Sequence, residues 1–307
     1  MCHAYVHASR YRNLRGKMPK LKILEEAKSL DQTMIIAPEE ALNLAGGLIG
    51  MKPVIEFLMT CLWTSHVTGE RPVSVLLVAA PGHGKTSVLA RLKSNWTYFT
   101  DDLTSREISH ALTENPDMCH LMLSDFTSIF ARKNTTAELT CNILRRLIEE
   151  GMDVDSYTGR HIGSSKRIGF ISAIPPDDLE SRKISEQLAE GGFASRFIIA
   201  KYTYCQKTKR EIHDYIRSDA YTKDPENKAI RFPERRSEVK IPERIAQDLN
   251  FLALDIKRDP LGARAHHHLR ALVKASALEQ GRIEANQSDF KKIEQYSEFF
   301  TKRGKIL

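Results

Sequence analysis

Four short apolar runs, at residues 73–78, 121–123, 168–173 and 197–202, punctuate the middle of this chain. Each is apolar almost throughout and too short for a helix, and all but Leu121-Met122-Leu123 are rich in β-branched or aromatic residues. A strand that is apolar at every position is buried on both faces, and amphipathic segments separate the four runs. The pattern predicts an α/β fold: a parallel sheet with helices on both faces. Upstream, residues 38–66 read as helical. Pro38-Glu39-Glu40 forms a good first turn, Gly46-Gly47 breaks it, and a second helix covers 51–65. Residues 69–71 turn into the first strand.

Downstream of the sheet the periodicity changes. Residues 206–240 carry Lys207, Lys209, Arg210, Glu211, Arg235 and Arg236 with few apolar positions, and read as a charged connector with a broken helix. Helical spacing returns over 241–300 with Ile245, Leu249 and Leu252, then Leu269, Leu272, Val273 and Ala277. Pro260-Leu261-Gly262 and Asn286-Gln287-Ser288 mark helix boundaries, with Ser288-Asp289 placed to cap the last helix. The organisation expected is a basic arm at 1–34, an α/β domain at 35–205, the connector at 206–240 and a small all-α domain at 241–307. The basic residues of the first 22 positions fit a tail outside the fold, a start at Met18 or Met34, or an arm for nucleic acid.

The chemistry begins directly after the first run. Ala79-Ala80-Pro81-Gly82-His83-Gly84-Lys85-Thr86-Ser87 has the form of a phosphate-binding loop between a strand and a helix. Its glycines let backbone N–H groups close around a polyphosphate, Lys85 supplies charge for the β- and γ-phosphates, and Thr86 offers a hydroxyl to Mg²⁺. Residues 80–87 are therefore the candidate nucleotide contacts, with ATP and Mg²⁺ as cofactors. Ala79 stands where the motif has its first glycine, so that corner must accept a methyl group. His83 reads as a permissive loop residue.

Such a loop needs an acid at the end of a neighbouring strand. Leu121-Met122-Leu123-Ser124-Asp125-Phe126 supplies one where an Asp-Glu pair is usual. Either Asp125 holds the metal through water and no base is evident, or Ser124 takes the metal side and Asp125 activates water. Further on, a helix over 143–151 leads into a stretch that alternates on either side of Thr158-Gly159. This predicts a hairpin with a basic tip carrying Arg160, His161, Lys166 and Arg167, a charge pattern that can follow a phosphate backbone without reading bases. His266-His267-His268 cannot converge on one ion from a helix, because successive side chains point about 100° apart.

Bulk properties narrow the classes. The chain has 307 residues, 41% hydrophobic and 28% charged, with a net charge of +7, compatible with nucleic acid. Five scattered cysteines without a Cys-x-x-Cys pair exclude a zinc ribbon and fit a reducing compartment. The most apolar stretch, 54–63, is interrupted by Glu56 and is too short to cross a bilayer. A cytoplasmic protein without membrane partners is expected.

Taken in order, these residues resemble the AAA+ ATPases, and among them the minichromosome maintenance helicases and their relatives on phages and mobile elements. The resemblance covers about 35–300 and is strongest at residues 79–86. It extends to the helix and hairpin of 143–167, to Ser195-Arg196-Phe197, and to Arg264 ahead of Ala271-Leu272-Val273-Lys274-Ala275-Ser276-Ala277. Residues 37–62 resemble the family's segment leading into the motor, with Leu48-Ile49-Gly50 near the adenine. It implies a ring, six-fold in this family, that couples ATP hydrolysis to movement on single-stranded or forked DNA, with a replication or mobile-element partner. Arg196 would reach a neighbour's nucleotide in trans. Arg264 would contact the γ-phosphate of its own or the adjacent subunit. Arg160, His161, Lys166 and Arg167 would line the central channel. Two departures stand out: Ile174 replaces the family's asparagine unless Ser172 substitutes, and the family's N-terminal DNA-binding domain finds no counterpart. Both weigh against a processive replicative helicase. The departures at Ser124-Asp125-Phe126 and Ile174 favour an alternative, a loader or regulator with slow hydrolysis; a second alternative, a protein-remodelling ATPase, has the basic hairpin and the net charge against it.

Overall fold

The computed structural model describes residues 34–36, 48–154, 161–189, 192–218, 236–256 and 263–297, all within the compact unit Gln32–Leu307. The chain runs β1 (Met34–Ile36), α1 (Lys52–Trp63), β2 (Ser74–Val78), α2 (Lys85–Arg91), β3 (Thr97–Thr100), α3 (Ser105–Glu114) and β4 (His120–Leu123). It continues through α4 (Thr127–Phe130), α5 (Asn134–Glu149), β5 (Met152–Val154), β6 (His161–Lys166) and β7 (Gly169–Ile174). Then come α6 (Pro176–Glu180), α7 (Arg182–Ala189), β8 (Phe197–Tyr204), α8 (Gln206–Arg217), α9 (Glu243–Ile256), α10 (Ala263–Glu279) and α11 (Gln287–Ser297).

Five strands form an all-parallel sheet in the order β8-β2-β7-β4-β3, and β1 adds a parallel strand outside β8. The uniformly apolar runs are explained by the two faces. In β2, Val75 and Leu77 enter one apolar cluster while Leu76 and Val78 enter another. The first cluster holds Phe57 and Leu58 of α1, Val88 and Leu89 of α2, and Leu269, Leu272, Phe290 and Ile293 of α10 and α11. The second holds Ile108 of α3, Leu144 and Leu147 of α5, and Leu179 of α6. Each large apolar side chain fully buried in this way contributes about 1.5–3 kcal/mol. Among the described residues no helix is long and apolar enough to cross a membrane.

Three features differ from the sequence reading. β3 was not expected: Thr97-Tyr98-Phe99-Thr100 is only half-buried at the sheet edge, so it lacks the apolar run that marks the inner strands. β1 reaches back to Met34, so the sheet begins inside the segment read as an arm. Within the expected connector, Gln206–Arg217 is a continuous helix, capped where Cys205 Sγ accepts from the Thr208 N–H. The helices of 243–297 share their apolar cluster with α1 and one face of the sheet. A buried ion pair adds to that contact: Lys274 Nζ of α10 lies 2.7 Å from Glu70, and Arg270 lies 2.9 Å from the same carboxylate. Both strands of the hairpin are present as β5 and β6, antiparallel with Met152 opposite Lys166; Lys166 and Arg167 therefore lie at the end away from the turn and not at a basic tip, while Thr158-Gly159 and Arg160 lie outside the described residues.

The packing of β4 against β7 yields two predictions. The His120 ring is fully buried, with Nε2 3.2 Å from the Val73 carbonyl, and a Cβ on Gly169 would fall within that ring. Gly169→Ala should destabilise the protein by about 1–3 kcal/mol in chemical denaturation. Burial lowers the His120 pKa from 6.5 to about 3, so the native ring stays neutral where the unfolded chain takes up a proton. Its contribution is complete above pH 6.5 and declines as pH falls toward 3, with a slope approaching about 1.4 kcal/mol per pH unit. In His120→Gln, thermal melts between pH 7 and 5 should show a shallower pH dependence.

Candidate functional site

The loop after β2 is shaped by two glycines. Gly82 has φ of 76° and Gly84 φ of 71°, and Gly84 sits in the left-handed conformation as the N-cap of α2. L-residues avoid that region, so glycine is required at both positions. Ala79 is tolerated because it extends the strand instead of turning. Its N–H donates to the Ile174 carbonyl at 3.4 Å and its methyl is buried in the first apolar cluster.

Two tyrosines fix the loop from behind. The hydroxyls of Tyr202 and Tyr204, at the end of β8, both donate to the His83 carbonyl, at 2.8 and 3.1 Å. The His83 ring stacks on Tyr204 with centroids 4.8 Å apart and planes at 11°. In a trans peptide the following N–H points opposite to the carbonyl, so anchoring this carbonyl turns the Gly84 N–H away from the tyrosines. Sequence reasoning treated His83 as permissive and missed both tyrosines. Their one signal was an aromatic pair at i and i+2, on one face of a strand beside the loop strand.

Lys85 curls back over the loop, its Nζ donating to the carbonyls of Ala79 at 2.6 Å and Ala80 at 3.0 Å. Burial lowers its pKa, and the negative charges of Asp125 and Asp178 oppose that shift. Asp125 is exposed, and its Oδ1 accepts from the N–H and hydroxyl of Thr127 at 2.9 and 2.8 Å. It therefore also holds the turn into α4. Asp178 is the second acid that the sequence reading did not find. It lies in the first turn of α6, just beyond the end of β7, whose Ile174 pairs with Val78 of the loop strand. Its signal was an acidic pair behind Pro175-Pro176. Thr86 and Ser87 are exposed in the first turn of α2.

Ser172 does not stand in for the missing asparagine. Its side chain is buried and its hydroxyl donates to the Leu123 carbonyl at 2.8 Å, while Ile174 is buried in the second cluster. A strand alternates its faces, so a polar residue two positions before the strand end is bound to the sheet interior here.

Arg196 and Arg264 lie elsewhere. Arg196 immediately precedes Phe197, which pairs with Ser74 at the start of β2, whereas the loop follows Val78 at its end. Five strand residues separate the two ends, about 15 Å along the sheet. Arg264, on the first turn of α10, stands beside Arg196: it bonds to Ser195 Oγ and both guanidiniums face Glu149. Of the two alternatives for Arg264, contact with its own subunit's γ-phosphate does not fit this position. Its guanidinium is held at the other end of the sheet. Of the hairpin residues, Arg160 lies outside the described residues, His161 and Lys166 are the ends of β6, and Arg167 is exposed just after it. His267 and His268 line a cleft with Arg196 and Arg264, and no cluster of metal-ligating residues occurs among the described residues.

Comparison with protein-family models and with curated proteins finds no match for this chain. The functional reading therefore rests on the geometry. A loop of glycine-shaped backbone, a lysine already bonded to carbonyl oxygens and two carboxylates at adjacent strand ends can hold a polyanion with a divalent cation between them.

Burial, in which the stacked Tyr204 ring takes part, and then the nearby cations Lys209 and Lys85 lower the His83 pKa from its ordinary 6.5, against the bond to the Pro81 carbonyl, which raises it. In Tyr204→Ala that burial is lost, and the His83 pKa should move up toward 6.5 in an NMR titration of the imidazole protons.

Proposed function

We propose that this protein is an AAA+-type ATPase that works as a ring, a DNA helicase or translocase of a phage or mobile element. One observation carries the reading: the phosphate loop and the arginine pair Arg196 and Arg264 occupy opposite ends of one parallel sheet. Guanidiniums so far from the subunit's own loop serve a nucleotide only if a second copy presents it. That arrangement is the head-to-tail contact from which rings are built. In that ring, Lys85 and the loop N–H groups bind the phosphates. Thr86 and Asp125 would hold Mg²⁺, whose charge would offset that of the phosphates. Arg196 stabilises the charge that develops on the transferred phosphoryl group. Asp178 provides a second carboxylate beside Lys85 that can orient the attacking water. The hairpin of β5 and β6, with Arg160, His161, Lys166 and Arg167, would face DNA.

A second reading is favoured by Ser172 and Ile174. Both are committed to the sheet interior, so the end of β7 offers no polar side chain to the γ-phosphate. A loader or regulator that turns ATP over slowly fits that feature.

Steady-state ATP hydrolysis of the wild type, Lys85→Ala, Asp125→Asn and Asp178→Asn, each with and without single-stranded DNA, tests the proposal. The expected outcome is DNA-stimulated turnover that falls by about a hundredfold or more in Lys85→Ala and in Asp125→Asn. Asp178→Asn should lower kcat while leaving ATP binding near the wild-type level. Tight ATP binding with negligible turnover indifferent to DNA would favour the loader. Stimulation by unfolded protein and none by DNA would favour protein remodelling.

A further inference from the structure

The arginine end of the sheet carries a feature that the ring reading does not require. Glu149, the last residue of α5, sits among three guanidiniums brought from separate parts of the chain. Arg71, in the turn before β2, donates to its Oε1 at 2.6 Å. On Oε2, Arg196 lies at 2.9 Å and Arg264 at 3.5 Å. Its side chain is 20% exposed, and the cleft around it is completed by Pro72, Ile148, His267 and His268. Burial alone would raise the Glu149 pKa, but Arg264, Arg196 and the bond from Arg71 outweigh it and hold the carboxylate ionised.

Glu149, with Glu150 as a further negative charge acting on Arg196, still faces more guanidiniums than carboxylates, since Arg145 joins Arg71, Arg196 and Arg264 on the positive side; two histidines stand at the rim. Three guanidiniums gathered around one carboxylate, with a hydrogen bond to it from Arg71, are also a setting that suits a phosphate, which offers more acceptors and more charge than a carboxylate. We infer that Glu149 is a resident counter-ion in an anion site formed by Arg71, Arg196 and Arg264. The site's ligand is the terminal phosphate of a nucleotide carried by a second copy of this chain, and Glu149 competes with it. This rests on the ring reading and adds two residues to it. Arg71 becomes a third member of the neighbour-facing site. Glu149 becomes a positioning residue that keeps the arginines gathered in the lone subunit and weakens their attraction for the neighbour.

The competition makes a prediction that a merely structural role does not. ATP turnover per subunit should rise with protein concentration as copies associate. In Glu149→Gln, which keeps the side chain's size and hydrogen-bonding capacity without its charge, the half-maximal concentration should fall by about tenfold. Glu149→Asp, which keeps the charge, should stay near the wild-type value, and Arg71→Ala should move the midpoint upward. Sedimentation velocity with ATP gives the association directly. Thermal melts establish that each variant is folded, and Arg71→Ala, at a half-exposed side chain, carries the test if Glu149→Gln does not fold. A Glu149→Gln midpoint equal to or above the wild type's overturns the inference, as does an Arg71→Ala midpoint unchanged from the wild type. Wild-type protein with no turnover and no ATP-dependent association at any concentration overturns the ring reading itself, a result distinguishable from the first two.

Discussion

Burial of β2 on every side governs the rest of this structure. It is paired with β7 on one edge and β8 on the other, and its five residues are buried on alternate faces. A strand so enclosed has only its two ends available for chemistry. The phosphate loop leaves one end, and Arg71 and the Glu149 cleft surround the other. Every neighbour inherits this polarity because the sheet is parallel. The acids Asp125 and Asp178 follow the ends of β4 and β7 toward Lys85, while Arg196 precedes β8 on the far side. The separation of functions is a consequence of strand direction, not of any one side chain.

Charge follows the same division. At the loop end, a single lysine is flanked by two carboxylates and by the carbonyls of Ala79 and Ala80. At the other end, three arginines share one carboxylate. On the proposed reading, the first end would receive an anion together with a cation. The second has an excess of positive charge and no metal-binding character. Guanidiniums suit it because they remain charged when half-buried and donate planar, two-pronged hydrogen bonds.

How much of this was legible in the chain differs by element. The inner strands were readable because full burial leaves a continuous apolar run, and the loop was readable because its glycines are imposed by backbone geometry. β3 was not, since an edge strand with half-buried threonines has no such run. Ser172 and Arg264 each kept two alternatives for a common reason: a side chain's partner depends on which face or end of the sheet it occupies, and spacing along the chain does not encode that. Asp178, Tyr202 and Tyr204 escaped notice because their roles come from strands that are neighbours in space but far apart in sequence. The last helix carries the same lesson in small. Asn286 caps it through Oδ1, and Asp289, buried and bonded to Arg282 and Ser276, joins the cap by accepting from the Asn286 N–H at 2.8 Å.

The apolar cluster shared by α1, α10, α11 and one face of the sheet has a further consequence. Segments that meet through a thin polar seam can melt separately, whereas segments that divide one core lose their contacts together. Phe57 of α1 packs edge-on against Tyr296 of α11 at 5.3 Å, and the same cluster continues to Val75 and Leu77. The helices after residue 243 therefore have no independent melting temperature. Sheet and helices should absorb heat in one calorimetric peak, whose enthalpy reflects both.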